Sequence, residues 1–161
     1  MGYINWLGFV ENESSIILNN TIKDYWGVGE RFGIVPVNSN AFYWAGCKVM
    51  PVNSAKEIKN AKEYLIHTFN DWPQLIINVI KKTKDNDINA IPVYDLDPSP
   101  IFFRENIVLL GDAAHAAGPT SSQGACLAIE DAFCLANLLS DTSMSMPVSY
   151  THLTLPTIGV V

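Results

Sequence analysis

Positive charge is scarce in this chain. Ten Lys and Arg stand against sixteen Asp and Glu, a formal net charge of −6 over 161 residues. A surface that grips nucleic acid or an anionic membrane needs a basic patch to neutralise phosphates. Nothing denser than Lys81, Lys82 and Lys84 occurs, so no nucleic-acid partner is expected. Cysteine is scarce too: Cys47, Cys126 and Cys134 lack the paired spacing of a zinc site or a redox dithiol, and no metal site is expected. Reduced thiols suit a cytoplasmic location. No run of about 18 apolar residues occurs, and the opening MGYINWLGFVENES has neither a basic start nor an apolar stretch of signal length. The expectation is a soluble protein with no membrane segment, in which the sequons at Asn12 and Asn19 have no secretory context.

What is present reads as globular: 48% hydrophobic and 16% charged residues, in a chain long enough for one ordinary core. Tyr3 to Leu18 mixes aromatic and β-branched residues around the polar break NESS, as two strands joined by a turn would. RFGIVPV and AFYWAG flank Asn38-Ser39-Asn40, a triplet suited to a three-residue hairpin loop. That loop sets Pro36 opposite Phe42 and Ile34 opposite Trp44, and alternation then puts Phe32, Ile34, Pro36, Phe42 and Trp44 on one face. Ser54 and Glu57 match a capping box ahead of Ile58, Ala61, Leu65 and Phe69 at helical spacing. A second helix is expected from Asp71, with Pro73 in its first turn, Leu75, Ile76, Val79 and Ile80 on its buried face, and cationic KKTK at its end.

NAIPVYDL reads as an edge strand, because Pro92 has no N–H for a ladder. NIVLL, residues 106–110, reads as a fully buried strand running into Gly111. From Gln123 to Leu139 the polar side chains are Gln123, Glu130, Asp131 and Asn137, so this helix is apolar nearly all round and calls for burial in a larger body than these elements provide. Residues 142–161 carry no charge and continue no period. Their VSYTHLTLPT resembles translated adaptor sequence, so the tail is expected to be an artefact, with an edge segment pairing elsewhere as the alternative.

Two stretches invite chemistry. WGVGERFG suggests a dinucleotide fingerprint, but its third glycine comes one place late and a strand follows instead of a helix. GDAAHAAGPTSSQGACLAIEDA, residues 111–132, fares better. Asp112 follows a strand end, where α/β sheets place ligand contacts, and an ionised carboxylate accepts hydrogen bonds from hydroxyls but repels phosphates. Across the loop, Ser121, Ser122 and Gly124 open a helix whose first N–H groups favour partial negative charge. A flavin satisfies both ends, through its ribitol hydroxyls and its pyrimidine edge. The alternative is local: Thr120 with Gln123 also matches a capping box, and Asp112 serves equally as a turn residue.

GDAAHAAGPTSSQGACLAIEDAFCLANLL, residues 111–139, resembles the second flavin motif of the FAD-dependent aromatic hydroxylases, the group A flavoprotein monooxygenases. GYINWLGFV, YWGVGERFGIVPV and AFYWAG resemble the sheet of that family's substrate domain, so the resemblance covers nearly all of residues 1–141. It implies an α/β protein in three parts: a substrate-domain antiparallel sheet with helices over residues 1–103, the last strand-loop-helix of a Rossmann-like FAD-binding domain over 104–141, and the non-native tail 142–161. It also implies that Gly111 and Asp112 hold the ribitol chain of FAD, that Pro119 lies beside the isoalloxazine ring, and that the N–H groups of Gly124, Ala125 and Cys126 meet the pyrimidine oxygen. In many members a glycine stands where Ser122 is, which puts the local backbone geometry at issue.

The implied activity is a monooxygenase that uses NAD(P)H and O2 to hydroxylate or epoxidise an apolar or aromatic small molecule. No side chain is cast as catalytic, since FAD carries the chemistry, and His115 is read as a hydrogen-bonded structural histidine. Ile34, Pro36, Phe42 and Trp44 are the candidate substrate wall, with ordinary core packing as the equal alternative. The family's amino-terminal G-x-G-x-x-G unit has no counterpart, so the chain reads as a carboxy-terminal fragment that is inactive alone. The rival readings are a flavin-dependent reductase or halogenase on the same scaffold, and a truncated product that binds no flavin. Oligomeric state is left open.

Overall fold

The computed structural model describes residues 2–11, 21–94, 96–97, 101–105 and 107–140. The chain divides into two units, residues 1–93 and 94–161. The second half of the expected amino-terminal hairpin, to Leu18, and the tail 142–161 lie outside the described residues.

The first unit is an antiparallel sheet with two helices. Strands β1 (Tyr3–Val10), β2 (Lys23–Trp26), β3 (Glu30–Asn38), β4 (Ala41–Val49) and β5 (Asn89–Val93) stand in the order β2-β3-β4-β1-β5. The central hairpin has the expected register, Ile34 opposite Trp44 and Pro36 opposite Phe42. Its loop is tighter than expected: Asn38 pairs with Ala41, and the spare residue becomes an irregularity between Pro36 and Asn38. The Asn38 side chain explains this, because its Oδ1 accepts from Asn40 N at 2.8 Å and makes the turn itself. β5 lies at the sheet edge, as Pro92 requires.

Helix α1 (Ala61–Thr68) begins later than the Ser54 capping box implies. Val52–Glu57 forms a 3-10 segment instead, and Asn60 is the N-cap, its Oδ1 accepting from Glu63 N at 3.1 Å while its Nδ2 donates to Glu63 Oε2 at 3.3 Å. Asn60 thus caps α1 six residues on from Ser54, and a side-chain bond to Glu63 stands in place of the backbone half of a capping box. Helix α2 (Gln74–Lys82) buries Ile76, Ile77, Val79 and Ile80 and ends on Lys81 and Lys82, with Pro73 at its N-cap.

Ile4, Trp6, Phe32, Ile34, Phe42 and Trp44 from one sheet face pack with Leu65, Phe69 and the α2 isoleucines into a single core. The Phe32 and Trp44 rings stack with centroids 5.2 Å apart, and Phe69 meets Phe32 edge-on. Trp44 Nε1 donates to Thr83 Oγ1 at 2.8 Å, and that hydroxyl donates to Val79 O at 2.9 Å, so the one polar atom of the buried indole is paired. Each large side chain buried here contributes about 1.5–3 kcal/mol, against about 0–1 kcal/mol for a surface ion pair such as the partly exposed Arg31–Asp24. The core, not the surface charge, holds this unit.

The second unit is sparser. β6 (Phe103–Arg104) and β7 (Ile107–Val108) form a two-stranded hairpin, followed by a single helical turn, α3 (Asp112–His115), and the long helix α4 (Gly124–Ser140). The expected buried strand over 106–110 is corrected here to two residues, and Ile107 is 69% exposed. A continuous apolar strand needs partners along both edges and cover on both faces, and among the described residues β7 is paired with β6 alone. Helix α4 shows the same shortfall: Ile129 and Phe133 are exposed, and among the described residues the buried cluster of this unit is Ala114 with the partly buried Phe102, Val108, Leu110, Leu135 and Leu138.

Candidate functional site

The stretch from Gly111 to Cys126 folds back so that its two ends meet. Gly111 adopts φ 52°, ψ −137°, a conformation open to glycine, and a Cβ there would stand 3.1 Å from Ala128 Cβ. The α3 turn closes with Ala114 N and His115 N both donating to Gly111 O at 2.9 Å. Asp112, the first residue of that turn, is exposed. Pro119–Ser121 then form a 3-10 turn sealed by Ser122 N to Pro119 O at 3.1 Å. Ser122 takes φ 56°, ψ 24°, in the left-handed region where glycine is favoured.

Helix α4 starts at Gly124, within the expected range, and Leu127 N to Gln123 O at 3.0 Å is its first intrahelical bond. The N–H groups of Gly124, Ala125 and Cys126 therefore precede the helix's own ladder. Thr120 lies in the 3-10 turn, and Gln123 directly precedes α4. A Cβ placed on Gly124 would have Asp112 Oδ1 as its nearest neighbour, at 4.0 Å. The carboxylate and the helix start thus flank one short span, with Gly124 half-buried and Ala125, Cys126 and Pro119 exposed. His115 is hydrogen-bonded, as expected: its Nε2 lies 2.6 Å from Asp131 Oδ2, on a side chain 10% exposed.

The candidate substrate wall falls elsewhere. Ile34, Phe42 and Trp44 are sealed in the core beneath α1 and α2, and of the four only Pro36 is partly exposed. Packing, the alternative reading, is what the structure gives these three, because the most apolar face of the sheet is the one the amphipathic helices cover. Alternation turns Phe9, Tyr43 and Val35 to the opposite face, where they form one cross-strand row over β1, β4 and β3. Burial pushes the Tyr43 phenol up from its ordinary value, and burial likewise raises the Cys47 thiol on that face. Nearby, Arg31 makes a two-point pair with Asp24, Nε to Oδ1 and Nη2 to Oδ2 at 2.9 Å each, and lies 4.4 Å over the Trp26 ring.

Known proteins agree with these features. The family profile described as "FAD binding domain" matches residues 12–143. The FAD-dependent urate hydroxylase of Klebsiella oxytoca is 30% identical over 141 residues, which is 88% of this chain and 37% of that protein. The aurachin C monooxygenase/isomerase of Stigmatella aurantiaca is 33% identical over 139 residues, 86% of this chain and 36% of its own. Among solved structures, Klebsiella pneumoniae HpxO, crystallised with FAD and uric acid, superposes with a TM-score of 0.83 at 27% identity, covering 94% of this chain and 39% of that one. The chain therefore spans a little over a third of the length of the relatives it matches. With the matched profile extending over most of its length, the chain belongs to the FAD-binding-domain family of the FAD-dependent aromatic hydroxylases.

Proposed function

We propose that this chain serves an FAD-dependent monooxygenase in which residues 111–126 hold the ribitol and pyrimidine portions of the flavin. The observation that carries this reading is the exposed Asp112 carboxylate beside Gly124 at the opening of α4. The donor set fits the group. Asp112 accepts from ribitol hydroxyls, the first-turn N–H groups of Gly124, Ala125 and Cys126 donate to a pyrimidine oxygen, and the missing Cβ at Gly124 lets a flat ring approach the backbone. When bound, FAD would carry two electrons from NAD(P)H to O2, one oxygen atom entering the substrate and the other leaving as water.

An apolar or aromatic substrate finds complementary surface on the Phe9–Tyr43–Val35 row. The Tyr43 hydroxyl, protonated at neutral pH as any phenol is, can donate or accept a hydrogen bond there. The test on the chain itself is a titration of 15N-labelled protein with FAD. Saturable shifts of the Asp112 and Gly124–Cys126 amides support the reading, and shifts scattered over both units refute it. Binding is expected to be weak, with no flavin retained through purification. The oxygenase step is read in a protein of the relatives' length that contains these residues. Label from 18O2 in the product, with NAD(P)H consumed, supports it; NAD(P)H oxidation without label marks a reductase.

A further inference from the structure

Asp131 is fully buried near the middle of a helix whose other large side chains are mostly exposed. Its Oδ2 accepts from Gly111 N at 2.9 Å and lies 2.6 Å from His115 Nε2, while Oδ1 has no partner among the described residues. Since the Gly111 N–H can only donate, Oδ2 is an acceptor there, and His115 completes the pair as an Nε2–H donor. A buried carboxylate with a lone oxygen is costly to keep, and nothing in the flavin reading above makes use of it. Its two bonds do share one property. They fasten the two ends of a single five-residue turn, Gly111 and His115, to α4, and Asp112 lies between them. Ala128, one turn earlier on the same helix, abuts Gly111 so closely that a Cβ there would come within 3.1 Å of its own. The turn is therefore held at its first residue by backbone and packing, and at its last by the imidazole.

We propose that Asp131, acting through Gly111 and His115, is the positioning residue for Asp112: it fixes the turn so that the Asp112 carboxylate stands beside the opening of α4. The inference rests on the flavin reading of Asp112 for its consequence, but not for its geometry. A flexible turn would present Asp112 in many orientations, each lowering the share of chains able to meet a ligand hydroxyl. A clamp on the same helix that supplies the N–H groups of Gly124–Cys126 fixes carboxylate and donors in one frame. His115 then contributes as a hydrogen-bond donor of a given reach, and not as an acid or base.

The test has two arms on the full chain. Without ligand, the 1H–15N heteronuclear NOE of residues 112–115 is compared in wild type, Asp131→Leu, His115→Gln and His115→Phe. The turn should loosen in Asp131→Leu, which has no acceptor for either bond, and in His115→Phe. It should stay ordered in His115→Gln, whose amide offers an N–H donor of similar reach, with α4 amides from Leu127 to Leu138 unchanged throughout. A turn as ordered in Asp131→Leu as in wild type overturns the proposal, and so does an α4 that melts along with the turn. The second arm is a double-mutant cycle read by FAD titration. Asp131→Leu should weaken FAD binding about tenfold in the wild-type background and less than about twofold in Asp112→Ala, since the carboxylate it positions is then gone. Equal losses in both backgrounds overturn the positioning role. If the turn loosens while Asp112→Ala leaves FAD binding untouched, the clamp stands and the flavin reading of Asp112 falls.

Discussion

Replacing Ser122 with glycine should stabilise the second unit, against the usual penalty for introducing glycine. Ser122 sits at φ 56°, ψ 24°, where a residue with a Cβ is strained by about 1–2 kcal/mol. Glycine escapes that strain but brings about 0.4–1 kcal/mol of extra unfolded-chain entropy. The difference favours Ser122→Gly by about 0.5–1 kcal/mol. Because Ser122 closes the turn that launches α4, the gain should appear as roughly two- to fivefold slower exchange of the protected α4 amides, Leu127 to Leu138. Ser122→Ala keeps the Cβ and should change exchange little, which separates the backbone effect from loss of the hydroxyl. Ser122→Gly exchanging faster than wild type, or Ser122→Ala matching it, would refute the argument and with it the backbone assigned to this loop.

Thr83→Val leaves the buried Trp44 Nε1 without an acceptor and should cost the first unit about 1–3 kcal/mol. All four tryptophans, Trp6, Trp26, Trp44 and Trp72, lie in that unit, so their fluorescence follows its unfolding; a midpoint within a degree of wild type would deny the bond. The hydrogen bond from Arg31 holds the Asp24 carboxyl below its ordinary value. A depressed carboxylate contributes fully above its unfolded-state pKa, and the contribution is lost as pH falls through the folded one. Asp24→Asn should therefore lower neutral-pH stability modestly, the pair being partly exposed, and flatten the acid-side slope so that the two proteins converge at low pH. An acid limb of equal slope in the two proteins would contradict this.

Much of the first unit was legible because its signals are short-range. The register of β3 and β4 follows from alternation on either side of an Asn-rich turn, and the edge position of β5 from the missing N–H of Pro92. Which face of the sheet the helices cover was harder to read. Alternation divides Phe42 and Trp44 from Phe9 and Tyr43, but which set the helices cover depends on the partner surface. The stronger apolar set should have been assigned to α1 and α2, since their own stripes require it. The true cap at Asn60 was hidden by an equally good match at Ser54, and only the 3-10 course after Pro51 decides between them.

In the second unit the start of α4 was legible, while the α3 turn and the 3-10 turn that precede it left no period in the sequence. NIVLL was not legible either: its burial depends on neighbours outside its own sequence, and the described residues offer it one two-residue partner. The Asp131 clamp left a faint sign, an acidic pair at Glu130 and Asp131 within an apolar helix. Which of the two turns inward is set by where Gly111 and His115 lie.

On the function proposed above, Asp112 is a cofactor ligand as well as the first residue of the α3 turn. FAD affinity by amide titration, measured for wild type and Asp112→Ala beside α4 exchange without flavin, tests it most directly. Losing a charge-assisted hydrogen bond to a ligand hydroxyl costs about 1.5–3 kcal/mol, or roughly ten- to over a hundredfold in affinity. The account predicts that loss with α4 exchange unaltered, since the Asp112 side chain is exposed and packs little. Unchanged FAD affinity together with faster α4 exchange in Asp112→Ala would contradict it.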